Sequence, residues 1–197
     1  MIDMQELIKK HSKNFVQSDG KRPILEGIHY RGDGSVVMTD SHILLHVKDA
    51  HDYQQPSVKH YVTGRVIDGD YPNLNNMLNI PYSNEFTLNM KKIAPYLETL
   101  KVSNLIGDVG VLKDDLTFKV RGFDGESYIL TLDGHACDTF PGVAFNSTYL
   151  YKCLSFFRDL KVDVVRVQLA TSGLIPIRFT DEAERVLVLI APVKIGG

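Results

Sequence analysis

The last 113 residues of the chain carry one order of elements twice. From Glu85 the segments EFTLNM, KKIAPYLETL, GVLKD, LTFKVRGF and ESYILTLDG read as a strand, a helix and three strands. From Gly142 the segments GVAFN, STYLYKCLSFFRDL, DVVRVQLA, LIPIRFT and RVLVLIAPV repeat that order to the end. A helix-on-sheet unit used twice buries its apolar faces against its own copy. The pattern therefore predicts a stacked scaffold rather than a pocket built once for a reaction. The period of about 55 residues slightly exceeds that of most solenoids and predicts a paired or closed arrangement.

The first part of the chain holds a third, less complete copy. Residues 4–16 place Met4, Leu7, Ile8, His11 and Phe15 along one side of a helix, with Lys9, Lys10 and Lys13 mostly on the other. PILEGIHYR and SVVMTD follow as strands joined through Gly32-Asp33-Gly34, a hairpin signal because the turn needs positive φ. HILLHVKD reads as another strand. The polar residues 49–59 read as loop, HYVTGRVID as a strand, and DGDYPNLNNMLNIPYSN, with Pro72 and Pro81, as a turn-rich connector. A boundary near residue 84 divides the chain into a partial unit, 1–84, and a complete one, 85–197. The fold class expected is α+β, with repeated βαβββ units and helices packed on antiparallel sheet.

Net charge is −2, so any nucleic-acid signal must be local. It is local: the three helical stretches 3–17, 89–101 and 147–161 together carry +5, leaving −7 on the remainder. Basic helices on an acidic body give one surface that attracts phosphate. The same lysines would also serve to solvate exposed helix faces, and charge alone does not decide between the two. Cys137 and Cys153 lack metal or redox spacing, and Cys153 reads as a buried thiol inside an apolar helical stretch. No apolar run approaches the ~20 residues of a membrane span. The N-terminus, MIDMQELIKK, lacks the apolar region of a signal peptide, so a soluble cytoplasmic protein with no membrane contact is expected.

Motifs for chemistry are absent: there is no Gly-rich phosphate loop, HExxH, GxSxG or CxxC. Asp40, His42 and His46 would share one face of a continuous strand, but nothing elsewhere plainly completes a metal site. Asp40, Ser41 and His42 cannot form a relay on a strand, because adjacent side chains point to opposite faces. Asp114-Asp115 and Glu182/Glu184 sit at expected turns, where solvated carboxylates are common. No catalytic residue, metal or cofactor is expected, and the chain does not read as an enzyme.

Five segments, in order, resemble bacterial sliding clamps, the beta subunit of the replicative DNA polymerase. KRPILEGIHY and MTDSHILL resemble the clamp's middle domain. GRVIDGDYPNLNNML resembles the segment joining its middle and last domains. VAFNSTYLYKCLSFF and VLVLIAPVKI resemble the start of the second half and the end of its last domain. The resemblance covers nearly the whole chain and implies a shortened clamp: no counterpart of the first of three domains, a middle domain whose second half shrinks to about residues 57–73 without its helix, and a complete last domain. It implies a DNA replication processivity factor that binds double-stranded DNA non-specifically, tethers a polymerase or other partners through a peptide groove, and closes a ring of copies. By position the DNA-facing candidates are Lys9, Lys10, Lys13, Arg22, Lys91, Lys92, Lys152, Arg158 and Lys161. The groove candidates are Leu25, Thr39, Ser41, His42, Ile43, Leu44, Pro72, Met77, Pro192 and Val193, with Ala191 and Lys194 flanking. Ser41 stands where the family has glycine, Ile43 where it has arginine, and Ala191 where it has methionine. Leu25, Leu44 and Val193 would equally suit the core of any sheet. The alternative expectation is a clamp homologue that encircles nothing and acts as an adaptor, decoy or inhibitor of the replication machinery. Nucleoid association is expected of such a DNA-binding protein, and a phage or other mobile element as source is expected from the shortening.

Overall fold

The computed structural model describes residues 3–106, 109–112, 117–121, 127–132, 134–135, 142–170 and 174–194. The chain divides into two compact units, Met1–Pro81 with Ala183–Val188, and Tyr82–Glu182 with Leu189–Gly197.

The first unit opens with α1 (Met4–His11), capped by Asp3, whose Oδ1 accepts from the amides of Gln5 (2.9 Å) and Glu6 (3.3 Å). Leu7, Ile8 and His11 are buried and Lys9 and Lys10 exposed, as the periodicity predicts. The α-helix ends earlier than expected. Ser12–Asn14 tighten into a 3-10 turn, where Ser12 Oγ donates to the Lys9 carbonyl (2.9 Å). Phe15 and Val16 still reach the core. Pro23–Glu26 form a second 3-10 turn, so only the latter part of PILEGIHYR is strand.

Strands β1 (Gly27–Tyr30), β2 (Val36–Thr39), β3 (Ile43–Val47) and β4 (Ser57–His60) form an antiparallel sheet in the order β4–β1–β2–β3. In register, His29 faces Val37, Met38 faces Leu45 and Gly27 faces His60. The β1–β2 turn uses Gly34 at φ 80°. Every residue of β2 and β3 is buried, so both faces of those strands are covered. The Lys48 amide donates to the Arg185 carbonyl (2.8 Å), tying Ala183–Val188 to this unit.

HYVTGRVID is not one strand. Its chain turns back at Tyr61–Gly64, where His60 Nδ1 accepts from the Val62 amide (3.1 Å) and Gly64 takes φ 68°. The Ile67 amide then donates to the Val58 carbonyl (2.8 Å), closing a tight β4 hairpin. The connector holds one short helix, α2 (Asn75–Leu78).

The second unit runs β5 (Asn84–Asn89), α3 (Met90–Ile93), a 3-10 turn at Ala94–Tyr96, α4 (Leu97–Ile106), β6 (Val109–Leu112), β7 (Thr117–Arg121) and β8 (Ser127–Thr131). After β9 (Gly134–His135) come β10 (Val143–Asn146), α5 (Ser147–Leu160), β11 (Val164–Leu169), β12 (Ile177–Asp181) and β13 (Val186–Ile190). Strand, helix and three strands therefore occur twice, as read from the sequence. Pro95, lacking an amide hydrogen, breaks the first helix between α3 and α4.

The two copies exchange strands. β5, from the first copy, pairs with β11 of the second, and β10, from the second, pairs with β6 of the first. The resulting orders are β13–β12–β11–β5–β9 and β10–β6–β7–β8. Neither copy can finish its sheet alone, so the repeat closes as a pair instead of propagating. α4 packs on α5, and Leu97, Leu100, Leu150, Leu154 and Phe157 are all buried.

Candidate nucleic-acid and peptide interface

Three helices carry the basic candidates. On the first unit Lys9, Lys10 and Lys13 are exposed on the side of α1 and its 3-10 extension away from Leu7 and Ile8. On the second unit Lys91 and Lys92 are exposed on α3 and Arg158 on α5, while Lys152 is half-buried. Some of this charge is already matched. Lys91 Nζ lies 3.1 Å from Asp163 Oδ1, and Arg158 Nε lies 2.8 Å from Asp159 Oδ1. The Arg158 guanidinium is held still further into its charged form by that carboxylate. The Lys152 ammonium sits 5.0 Å from the centre of the Tyr149 ring. Lys161 ends α5 in the left-handed conformation, φ 60°, with an exposed side chain. Exposed pairs of this kind are worth about 0–1 kcal/mol, so a phosphate can displace them.

The groove candidates separate by burial. In the first unit Leu25, Ile43 and Leu44 are at most 2% exposed, and Thr39 is buried with its hydroxyl on the Ile43 carbonyl (2.8 Å). These four stand in the core. Ser41, His42 and Pro72 are exposed, and Met77 is 37% exposed. In the second unit Pro192 is half-buried opposite Phe145, the Val193 amide donates to the Ala144 carbonyl (2.8 Å), and the Val193 side chain is 38% exposed. Val193 is thus a surface residue rather than the core residue its type suggested.

Arg22 and Ser41, assigned to different interfaces from the sequence, meet: Arg22 Nη2 donates to Ser41 Oγ (2.7 Å). Ser41 has φ 83°, a conformation that favours glycine. The tight turn explains this. Asp40 is not on the strand with His46; its Oδ1 accepts from the amides of His42 and Ile43, both at 2.8 Å, and so caps the β2–β3 turn. The shared Asp40/His42/His46 strand face expected from alternation does not form, because the strand is interrupted there. Among the described residues no group of three or more His, Cys, Asp or Glu is placed to hold a metal ion. Asp114 and Asp115 lie outside the described residues. No helix among the described residues is long and apolar enough to cross a membrane.

Beside Pro72 the structure adds residues that the sequence did not single out. A pocket of about 190 Å³ is lined by His29, Arg31, Tyr71 and Asn75 as well. Arg31 Nη2 donates to Asn75 Oδ1 (3.0 Å), and the His29 and Tyr71 rings lie 4.7 Å apart. Burial, with the Arg31 charge, holds the His29 imidazole below its usual pKa. Alternation along β1 was the available signal, since His29 and Arg31 share one side and Ile28 and Tyr30 the other.

The sequence matches no protein-family model and no curated protein. Solved structures do match. The beta subunit of DNA polymerase from Streptococcus pyogenes covers 98% of the chain at TM-score 0.79 and 18% identity. The DNA polymerase sliding clamp from Bacillus subtilis covers 98% at TM-score 0.77 and 17% identity, and that from Caulobacter crescentus 98% at 0.78 and 15%. The match takes in 64%, 63% and 65% of those three chains respectively. The chain therefore spans somewhat less than two thirds of the length of the clamps it resembles, and it has the fold of the bacterial DNA polymerase sliding clamp.

Proposed function

We propose that the chain is a non-enzymatic, clamp-like replication factor. It holds duplex DNA through sequence-independent phosphate contacts and presents a docking surface to a polymerase or to other proteins carrying short peptides. The observation that carries this reading is the exposure of basic side chains on α1, α3 and α5 within a sliding-clamp fold. Each of these helices buries its apolar side, so its cations are offered to solvent and to phosphate. Peptide docking rests on the surface residues Ser41, His42, Pro72 and Met77 of the first unit. A few apolar anchors carry most of the energy of such contacts.

The test is duplex binding across a salt series. Phosphate contacts make the logarithm of affinity fall with the logarithm of salt by about 0.9 per contact, regardless of sequence. The variant Lys9→Glu/Lys10→Glu/Lys13→Glu should bind duplex more weakly and with a shallower slope. Equal affinity and slope for this variant and the parent chain would refute a duplex contact through α1.

A further inference from the structure

The first unit holds a second, larger cleft, about 350 Å³, which shares only Lys9 with the clamp reading. That volume falls within the ~300–1,000 Å³ typical of small-ligand sites. α1 supplies Glu6 and Lys9, β1 supplies Tyr30, and the β4 hairpin supplies Lys59, His60 and Tyr61. Its aromatic groups are already ordered. The His60 and Tyr61 rings stack at 5.1 Å with an interplanar angle of 24°. His60 is fixed from both ends: Nδ1 accepts from the Val62 amide (3.1 Å), and Nε2 lies 3.4 Å from Glu26 Oε2. The Lys59 ammonium sits 4.1 Å from the Tyr53 ring centre and 5.0 Å from that of Tyr30. Lining the cleft are two ammonium groups and one carboxylate, Glu6.

We infer that this cleft is a subsite for single-stranded nucleic acid, with a base against the Tyr61–His60 stack and its phosphates on Lys9 and Lys59. Ordered aromatic faces beside cations are the combination that binds unpaired strands without regard to sequence, because every base has a π face. A duplex keeps its bases stacked inside and offers no such face. The charged groups in the lining, Glu6, Lys9 and Lys59, disfavour the apolar side of a partner helix, and an acidic peptide would use the lysines but leave the rings idle. The inference extends the nucleic-acid reading above but rests on Lys59 and Tyr61, which lie outside the duplex set.

The probe is a labelled oligodeoxythymidylate titrated into the full chain. With nine tyrosines and no tryptophan, base stacking reports directly as tyrosine quenching. Tyr61→Ala and Lys59→Gln should each weaken binding by about tenfold, and Tyr61→Phe should retain it. Photocrosslinks from a bromouracil-substituted oligomer to the parent chain should map to residues 59–64. Thermal melting confirms that the variants fold, and the crosslink map is independent of them. Unchanged affinity in both weakened variants, crosslinks elsewhere, or displacement by polyglutamate without any quenching of tyrosine would overturn the subsite. Duplex binding by Lys91→Glu/Lys92→Glu reads the clamp proposal separately, since those residues lie in the other unit.

Discussion

Individual residues show where this chain departs from a relaxed backbone. Ser41 holds φ 83° at the β2–β3 turn, a conformation that favours glycine. A non-glycine residue there costs on the order of 1–3 kcal/mol. Ser41→Gly should therefore raise stability by about 1 kcal/mol in urea unfolding, while removing the hydroxyl that accepts from Arg22. No gain would mean that the Arg22 contact offsets the backbone strain. The buried Cys153 and the half-buried Tyr82 set the alkaline limit. Burial pushes the Cys153 thiol well above its ordinary value near 9, and pushes the Tyr82 phenol from 10.0 up to about 12. Unfolded, these groups lose their protons first, so the folded chain binds more protons in that range and loses stability as pH rises. The urea midpoint should be steady between about pH 7 and 9 and fall above that, first through the thiol and then through the phenol. Tyr82→Phe should flatten the fall between about pH 10 and 12, and an unchanged profile would remove Tyr82 as a cause.

Elements follow the sequence closely where side-chain periodicity fixes them, and less closely where a single polar contact decides. Leu7, Ile8 and His11 on α1, and Leu150, Cys153, Leu154 and Phe157 on α5, announce their buried sides in the sequence. The break at Ser12, the turn held by His60 and the Asp40 cap depend on the hydrogen bonds of one side chain each, which periodicity does not encode. The exchange of β5 and β10 between copies was also hidden, because sequence order does not specify which copy a strand pairs with. Among the groove candidates, type alone could not separate the buried Leu25, Ile43 and Leu44 from the exposed Met77 and Val193. At the end of α5, Lys161 joins stability and binding in one residue. Lys161→Gly relieves its left-handed backbone and should stabilise the helix end by about 0.5–1 kcal/mol. The same change removes a proposed phosphate contact, so duplex affinity should fall while the melting temperature rises. Unaltered affinity would take Lys161 out of the DNA-facing set.

At the scale of the whole molecule, the sliding-clamp fold is matched at TM-scores of 0.77–0.79 with no more than 18% identity in the three clamps compared. The fold can therefore persist while most side chains change, as core packing tolerates broad substitution that keeps volume and patterning. This chain carries basic residues on its helices at a net charge of −2, the distribution the proposed non-specific DNA tether needs. The proposed clamp action requires closure: copies would have to join around the duplex, since a closed assembly holds DNA by topology instead of by tight contact. Retention on circular DNA tests this most directly. The chain is placed with nicked circular duplex, alone and with a clamp-loading extract, and passed through gel filtration in moderate salt before and after the circle is cut. A clamp should elute with the closed circle as an oligomer and leave once the DNA is linear. A chain that stays monomeric and elutes free of the circle under both conditions would contradict clamp action and favour a non-encircling adaptor.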